Sequence, residues 1–134
     1  MTKQQFLALW QGKSWDSSPA GTYFISHRSD KDLHFSFSGY SEKDVKSIPD
    51  ALMKRLAAEI SELDQEALSL IKENFIEEDI EGISLTDVMF DKSGCYDAFA
   101  LGYYVGESPA GELYMLVSFG EEFEANPEVI CEVY

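Results

Sequence analysis

The feature that most constrains the fold is a stripe of apolar residues in the middle of the chain. Apolar side chains recur there at steps of three and four residues, which places them on one face of an α-helix. The segment SIPD at residues 47–50 predicts the helix start, since Ser47 can cap it and proline is tolerated in a first turn. The segment SELD at residues 61–64 repeats the capping pattern, so residues 50–76 form either one long helix or two shorter ones. The stripe consists of Leu52, Leu56, Ile60, Leu63, Ala67, Leu70, Ile71 and Phe75.

Strand patterns flank this helical region on both sides. Residues 22–27 and 33–38 are rich in β-branched and aromatic side chains and are separated by turn residues, which predicts a β-hairpin. In the second of these strands Leu33, Phe35 and Phe37 alternate with polar residues, so we expect one face of the sheet to be solvated there. Further strands are predicted at residues 83–90, 98–105, 113–119 and 129–134.

The N-terminal residues predict a short amphipathic helix. Phe6, Leu9 and Trp10 lie at helical spacing within residues 3–11, and the loop GKSWDSSPAG at residues 12–21 follows. The length of 134 residues and the hydrophobic content of 45% are sufficient for one core. We therefore predict a single α+β domain over residues 1–134, with an antiparallel sheet of four to six strands packed against one long or two shorter helices, together with a short N-terminal helix.

The chain is strongly acidic, and its charge is unevenly distributed. It has 25 acidic and 10 basic residues, a formal charge of -15. Residues 1–40 have a net charge of +1, whereas residues 41–134 hold 22 acidic and six basic residues, a net of -16. Such a field repels nucleic acids and anionic lipids, because binding to either requires Lys or Arg. We therefore expect no nucleic acid and no membrane as partner, and a basic protein partner fits the charge.

Targeting signals are not evident. Residues 1–13 contain only a short apolar run from Phe6 to Trp10, unlike a signal peptide, and no stretch approaches the roughly 18 apolar residues of a spanning helix. Two cysteines are too few for a disulfide framework. The sequence accordingly predicts a cytoplasmic location.

No sequence motif supports catalysis or cofactor binding. The nucleophile elbow, the P-loop and the dinucleotide fingerprint are all missing from the sequence. The residue types of a zinc site or a thiol nucleophile are present in His27, His34, Cys95 and Cys131. Their positions in the sequence lack the close paired spacing of zinc ligands. Cys131 lies in an apolar strand and is expected to be buried. We predict no enzymatic activity, no catalytic residue, no cofactor and no metal.

Carboxylates are concentrated in two segments. Residues 75–82, FIEEDIEG, lack the oxygen spacing of a calcium loop, so a solvated helix end and loop is favoured over a metal site. Because negative charge is unfavourable at a helix C-terminus, a surface that binds a positive partner is also predicted here. In residues 120–128 an aromatic side chain is surrounded by glutamates, a composition typical of a protein interface, although burial of Phe123 in the core is an equal alternative. Two adjacent tyrosines are further candidate anchors. The predicted partner-binding residues are Glu77, Glu78, Asp79, Glu81, Tyr103, Tyr104, Glu121, Glu122, Phe123 and Glu124.

The C-terminal quarter of the chain carries a resemblance to a known group of proteins. Residues 101–134, LGYYVGESPAGELYMLVSFGEEFEANPEVICEVY, show a strand, a P-A-G turn, a second strand, an acidic loop and the ending E-V-I-C-E-V-Y. This pattern resembles the end of small acidic bacterial proteins that include polymorphic-toxin immunity proteins. The resemblance implies a cytoplasmic, non-enzymatic inhibitor that binds and blocks a cognate toxin, such as a nuclease. The alternatives are a small-ligand or metal-binding domain, or a subunit of a larger assembly.

Overall fold

The computed structural model describes residues 1–28, 31–75 and 82–134. These residues form three helices and one seven-stranded sheet whose strands follow the order of the chain, from β1 at one edge to β7 at the other. The elements are α1 (Lys3–Trp10), β1 (Gly12–Ser18), β2 (Gly21–Arg28), β3 (Lys31–Ser38), α2 (Glu42–Lys46), α3 (Asp50–Asn74), β4 (Leu85–Asp91), β5 (Phe99–Ser108), β6 (Gly111–Phe119) and β7 (Ile130–Val133).

The central apolar stripe forms one uninterrupted helix, α3, of 25 residues. The capping pattern at residues 61–64 does not break it, because the stripe on both sides of this segment is buried against the same sheet. The sequence suggested that Ser47 caps α3, but in the structure Ser47 is the C-cap residue of α2. Pro49 occupies the N-cap position of α3 and makes no side-chain hydrogen bond there. The buried residues of α3 are Met53, Leu56, Ile60, Leu63, Ala67 and Ile71.

The sheet is mixed and larger than the four to six antiparallel strands expected from the sequence. All neighbouring pairs are antiparallel except β3 and β4, which are parallel. The helices α2 and α3 lie between these two strands in the chain. A crossover connection of this length allows β4 to run parallel to β3. The sequence identified the strands on both sides of the crossover but not how they pair.

The additional strand is β1, which was predicted to be a loop. It pairs with β2 through a turn made by the tetrapeptide SPAG at residues 18–21. The same tetrapeptide recurs at residues 108–111 and joins β5 to β6. In both turns the serine hydroxyl accepts a hydrogen bond from the alanine N–H at 3.3 Å and donates one to the glycine carbonyl. The repeated tetrapeptide is therefore the sequence signal for the strand that was missed.

The helices lie on one face of the sheet, where the main core is formed. Phe6 and Trp10 of α1 pack against the aromatic side chains of β2 and β3, with Phe6 and Phe24 ring centroids 4.7 Å apart. The buried stripe of α3 and Val45 of α2 join the same cluster. The predicted alternation in β3 is confirmed, since Leu33, Phe35 and Phe37 are buried and the intervening residues are at least partly exposed. In the described part of the chain, no helix is both long and apolar enough to cross a membrane.

The opposite face of the sheet, which we call the open face, carries a second and smaller apolar cluster. Met89, Ala100 and Leu116 are buried there, with Tyr96, Tyr114 and Ile130 packed against them. All of these residues belong to strands, apart from Tyr96 in the turn region before β5. Among the described residues, the cluster on this face therefore includes no helical side chain.

Candidate functional site

The open face contains two adjoining cavities of about 310 Å³ and about 240 Å³. His34, Asp87 and Tyr114 line both, so the two cavities form one continuous depression, the open-face pocket. Tyr23 of β2 and Tyr134 beside β6 line the larger cavity together. Because β2 and β6 are four strand positions apart, the sheet must curl toward this face to bring them together. The polar and aromatic side chains of the pocket are Tyr23, Asp32, His34, Ser36, Thr86, Asp87, Tyr104, Glu112, Tyr114 and Tyr134.

Strand alternation and one β-bulge position the carboxylate of Asp87, which lines both cavities. His34 on β3 is the register partner of Asp87 on β4. On its other side Asp87 is paired with Gly102 of β5, and the register shifts between Leu85 and Asp87. Such a shift inserts an extra residue, Thr86, and locally re-aims the side chains of the strand.

Thr86 connects the carboxylate to the neighbouring strand. Its hydroxyl Oγ1 donates to Asp87 Oδ2 at 2.6 Å and accepts a hydrogen bond from the backbone N–H of Tyr104 at 3.2 Å. Gly102 has no side chain, and a Cβ atom at this position would lie only 3.0 Å from the Cβ of Asp87. Glycine at this position therefore lets the side chains of Asp87, Leu116 and Met89 pack closely over the backbone of β5.

Asp87 carries its negative charge in an unfavourable place. Burial is the main reason that the pKa of the Asp87 carboxyl is raised above its usual value, and the nearby Glu112 carboxylate adds to this effect, while Thr86 and His34 oppose it. Among the described residues, Asp87 forms no ion pair with Lys or Arg, and neither cavity is lined by such a side chain. The pocket therefore has a half-buried carboxylate that lacks a cationic counterpart within the described chain.

Tyrosine rings form much of the wall. The ring centroids of Tyr104 and Tyr114 are 5.4 Å apart, and those of Tyr114 and Tyr134 are 5.3 Å apart. Tyr104 and Tyr134 remain 37% and 57% exposed. These rings line the pocket at the end where β5, β6 and the C-terminus meet.

Glu132 holds two tyrosine hydroxyls at the rim. Tyr96 donates to Glu132 Oε2 at 3.0 Å, and Tyr134 donates to the same oxygen. Burial raises the pKa of Tyr96 to about 12, and burial together with the Glu132 bond raises the pKa of Tyr134 further. These two hydrogen bonds tie the turn region before β5 to the last residue of the chain.

A second concave surface, of about 600 Å³, lies beside the acidic loop at residues 120–128 and the start of α3. The Arg55 guanidinium lies 4.2 Å from the centroid of the Phe123 ring and donates to the carbonyl oxygen of Glu122 at 3.4 Å. Arg55 Nε also donates to Glu59 Oε2 at 2.7 Å. Arg55 therefore attaches the acidic loop to α3, and the glutamate side chains at residues 121 and 122 remain at the surface of this cleft.

The structure separates the predicted partner-binding residues into different locations. Tyr103 is fully buried, and its hydroxyl donates to Asp64 Oδ1 at 2.6 Å, while Phe123 is 7% exposed and packs on Phe99. Both side chains therefore belong to the core. Tyr104 lies on the open face instead, because adjacent strand residues point to opposite faces.

The acidic residues of the prediction also divide. Glu121, Glu122 and Glu124 are exposed in the acidic loop. Glu77, Glu78, Asp79 and Glu81 lie outside the described residues, so their role stays a prediction.

Sequence reasoning did not identify the residues that form the open-face pocket apart from Tyr104. Asp87 carried a usable signal, because it is a charged residue in the interior of the mainly apolar strand LTDVMFD, whereas Asp91 lies at the end of that strand. Glu112 and Tyr134 carried none, since their proximity depends on strand pairing. His34 was considered only among the residue types of a zinc site or a thiol nucleophile with its base.

The structure also shows the exposure of the two cysteines and the arrangement of side chains that could bind a metal ion. Cys95 and Cys131 are both free and exposed, so the expectation that Cys131 is buried was wrong. It lies on β7, an edge strand, where the apolar sequence does not imply coverage on both faces. Within residues 1–28, 31–75 and 82–134, no three His, Cys, Asp or Glu side chains are grouped to hold a metal ion.

Negative charge dominates the C-terminal part of the sheet. Residues 93–134, which include β5, β6 and β7, contain eight acidic residues and no Lys, Arg or His. Several basic residues elsewhere are already paired, as Lys13 is with Asp32 and Lys92 is with Asp44.

Comparison with protein families, with curated proteins and with solved structures finds no match.

Proposed function

We propose that this protein is a non-enzymatic protein-binding module, an immunity-type inhibitor that binds and blocks a basic partner such as a toxin nuclease. The observation that carries the proposal is the segment 93–134, whose eight carboxylates are accompanied by no basic side chain. Three of them, Glu121, Glu122 and Glu124, are exposed in one short loop. Such a surface is complementary to the basic site with which a nuclease binds phosphates.

The charge determines mainly how fast the complex forms. Long-range attraction raises association rates toward about 10⁸ M⁻¹s⁻¹ at low salt, and screening removes much of this advantage at higher salt. The packing of Arg55 on Phe123 holds the acidic loop in a defined position, so its carboxylates face a partner without prior ordering of the loop. Phe123 supports this surface from beneath, whereas Tyr103 is buried in the core and Tyr104 lies on the open face, so neither tyrosine belongs to the acidic-loop surface.

The first experiment is a pull-down of tagged protein from its native lysate at low and at raised salt, with mass spectrometry of the bound proteins. We expect one basic protein that is retained at low salt and lost at raised salt. The purified partner is then assayed alone and with this protein, and its toxic or nuclease activity is expected to fall in proportion to the amount of complex.

Charge-reversal variants test whether the acidic loop is the surface involved. The triple variant Glu121→Lys, Glu122→Lys and Glu124→Lys is expected to slow association by about tenfold at low salt and to flatten the salt dependence. The control reverses three exposed glutamates of α3, Glu62, Glu66 and Glu73, with the same change in net charge. Equal slowing by both triple variants would show that only net charge matters, and an acidic partner or salt-independent association would contradict the proposal.

A further inference from the structure

The open-face pocket combines a carboxylate with aromatic walls in a way that the proposed acidic-loop interface does not use. Asp87 lies at the boundary of the two cavities, with Tyr104 and Tyr114 beside it. Glu112, the register neighbour of Tyr134, supplies a second carboxylate to the larger cavity. The pocket thus presents two carboxylates and several tyrosine rings to whatever enters it.

The lining restricts the chemistry of a ligand. An anion would be repelled by Asp87 and Glu112, and no Lys or Arg among the described residues lines the cavities to offset this repulsion. A purely apolar ligand would bury the Asp87 carboxylate more deeply without a partner, which is costly. A hard metal ion needs about six oxygen ligands, and the described residues contain no grouping of three suitable side chains.

An organic cation satisfies both parts of the lining. A guanidinium or ammonium group forms charge-assisted hydrogen bonds with carboxylates, and it is also attracted to the faces of aromatic rings. The larger cavity, of about 310 Å³, includes Ile25 and Met89, which offer apolar contact for the methylene groups of a lysine, arginine or polyamine. Carboxylate, aromatic and apolar surfaces are thus available to one elongated cationic ligand.

We propose that the open-face pocket is a binding site for an organic cation, whose guanidinium or ammonium group pairs with Asp87 and Glu112 and lies against Tyr104 and Tyr114. This inference goes beyond the proposed function, since it concerns a different surface from the acidic loop and holds whether or not a protein partner is present. The cation has two possible sources with the same chemistry: a free small molecule, such as a polyamine, or an arginine or lysine side chain on a peptide.

The test is a titration followed by the backbone amide signals in two-dimensional NMR, with L-arginine methyl ester as the first probe. L-citrulline methyl ester is the matched control, because it has nearly the same shape but carries an uncharged urea group. We expect arginine methyl ester to shift amides of β3 to β6 around Asp87, and to bind at least about tenfold more tightly than the citrulline ester.

Two variants identify the carboxylates responsible. Asp87→Asn keeps the size of the side chain and an acceptor for the Thr86 hydroxyl but removes the charge, and we expect it to weaken binding by about tenfold. Glu112→Gln changes an exposed residue, so it keeps the test valid if Asp87→Asn does not fold. Glu66→Gln, on the exposed side of α3, has the same loss of one charge and is expected to bind like the parent protein.

The outcomes separate the proposal from nonspecific attraction and distinguish its two sources. Shifts spread over all acidic surfaces, an equal response to the citrulline ester, or unchanged binding by Asp87→Asn and Glu112→Gln would each overturn the proposal. Tighter binding of spermidine than of a glycine-flanked arginine peptide indicates a free small cation, and the reverse order indicates a side chain on a peptide. Because these probes need no protein partner, a failure here leaves the acidic-loop experiments unaffected.

Discussion

Asp87 is the residue at which stability and binding oppose each other most clearly. Its carboxylate is half-buried, it is held by one hydroxyl from Thr86, and among the described residues it has no ion-pair partner. The raised pKa means that the folded protein favours the protonated form of this carboxyl. At neutral pH the ionised Asp87 therefore destabilises the native state, a cost that a bound cation would reduce.

We predict that Asp87→Asn increases the free energy of unfolding at pH 7, by an amount on the order of 1 kcal/mol. Because the folded-state pKa is raised, the stability linked to protonation is complete below the unfolded pKa of about 3.9 and is lost as pH rises through the folded pKa. The gain from the variant should thus be present at neutral pH and disappear near pH 3. Urea unfolding of both proteins across this pH range measures it.

The titratable groups that face Asp87 must be considered in the same experiment. His34 on β3 favours the ionised form of Asp87, and Glu112 on β6 opposes it. Both are present in parent and variant, so the difference between the two proteins isolates Asp87. Glu66→Gln on α3 is the control, and its stability relative to the parent should not vary with pH in this way. A loss of stability in Asp87→Asn at pH 7 would contradict the interpretation of Asp87 as a destabilising charge.

At the scale of elements, two copies of one tetrapeptide determine two of the hairpins. The SPAG turns at residues 18–21 and 108–111 share the same serine hydrogen bonds although they lie at opposite parts of the sheet. The glycines have positive φ angles, 152° at Gly21 and 137° at Gly111, which residues with a side chain rarely adopt. The second turn also brings Gly111 against the carbonyl of Tyr134, so it positions the C-terminal tyrosine of the open-face pocket.

We predict that Gly111→Ala destabilises the protein by more than about 2 kcal/mol, because the added methyl group overlaps the carbonyl oxygen of Tyr134. Gly106→Ala is a matched control in the same hairpin. Gly106 has a similar φ of 149°, but nothing lies within 4 Å of a Cβ atom built there. The control should lose only about 1 kcal/mol from backbone strain. Urea unfolding compares the two, and equal losses would show that the contact with Tyr134 is unimportant.

At the scale of the whole molecule, the charge of -15 is expected to affect stability as well as the proposed binding. The magnitude exceeds the roughly 2–8 charges that serve the solubility of a small domain. Mutual repulsion of the carboxylates disfavours the compact state, and dissolved salt screens that repulsion. The folded protein is therefore expected to gain stability from salt, whereas the proposed association with a basic partner would slow.

We predict that the urea midpoint rises as NaCl is increased from about 0.01 M to about 0.1 M, where the screening length shortens from about 30 Å to about 10 Å. The α3 triple variant Glu62→Lys, Glu66→Lys and Glu73→Lys has a less negative net charge and should show a smaller rise. Thermal unfolding over the same salt series provides an independent measurement. A midpoint that falls with salt, or an equal rise in the variant, would contradict repulsion as the cause.

The sequence alone determined the features that depend on neighbours close in the chain. The period of the stripe in α3, the alternation in β3 and the hairpin of β2 with β3 arise from local backbone geometry, and all three were predicted and are confirmed. The presence of helices on one face of a sheet follows from the same patterns, since each apolar face must be buried.

Only the tertiary structure decided which distant segments meet. The pairing of His34 with Asp87 depends on the long crossover through α3, and the opposite fates of Tyr103 and Tyr104 depend on which face of β5 meets the helix. Local patterns cannot specify these contacts, because the free energy that selects them comes from burial between segments far apart in the chain. The acidic composition could thus be recognised from the sequence, whereas the open-face pocket exists only once the sheet has formed and curled.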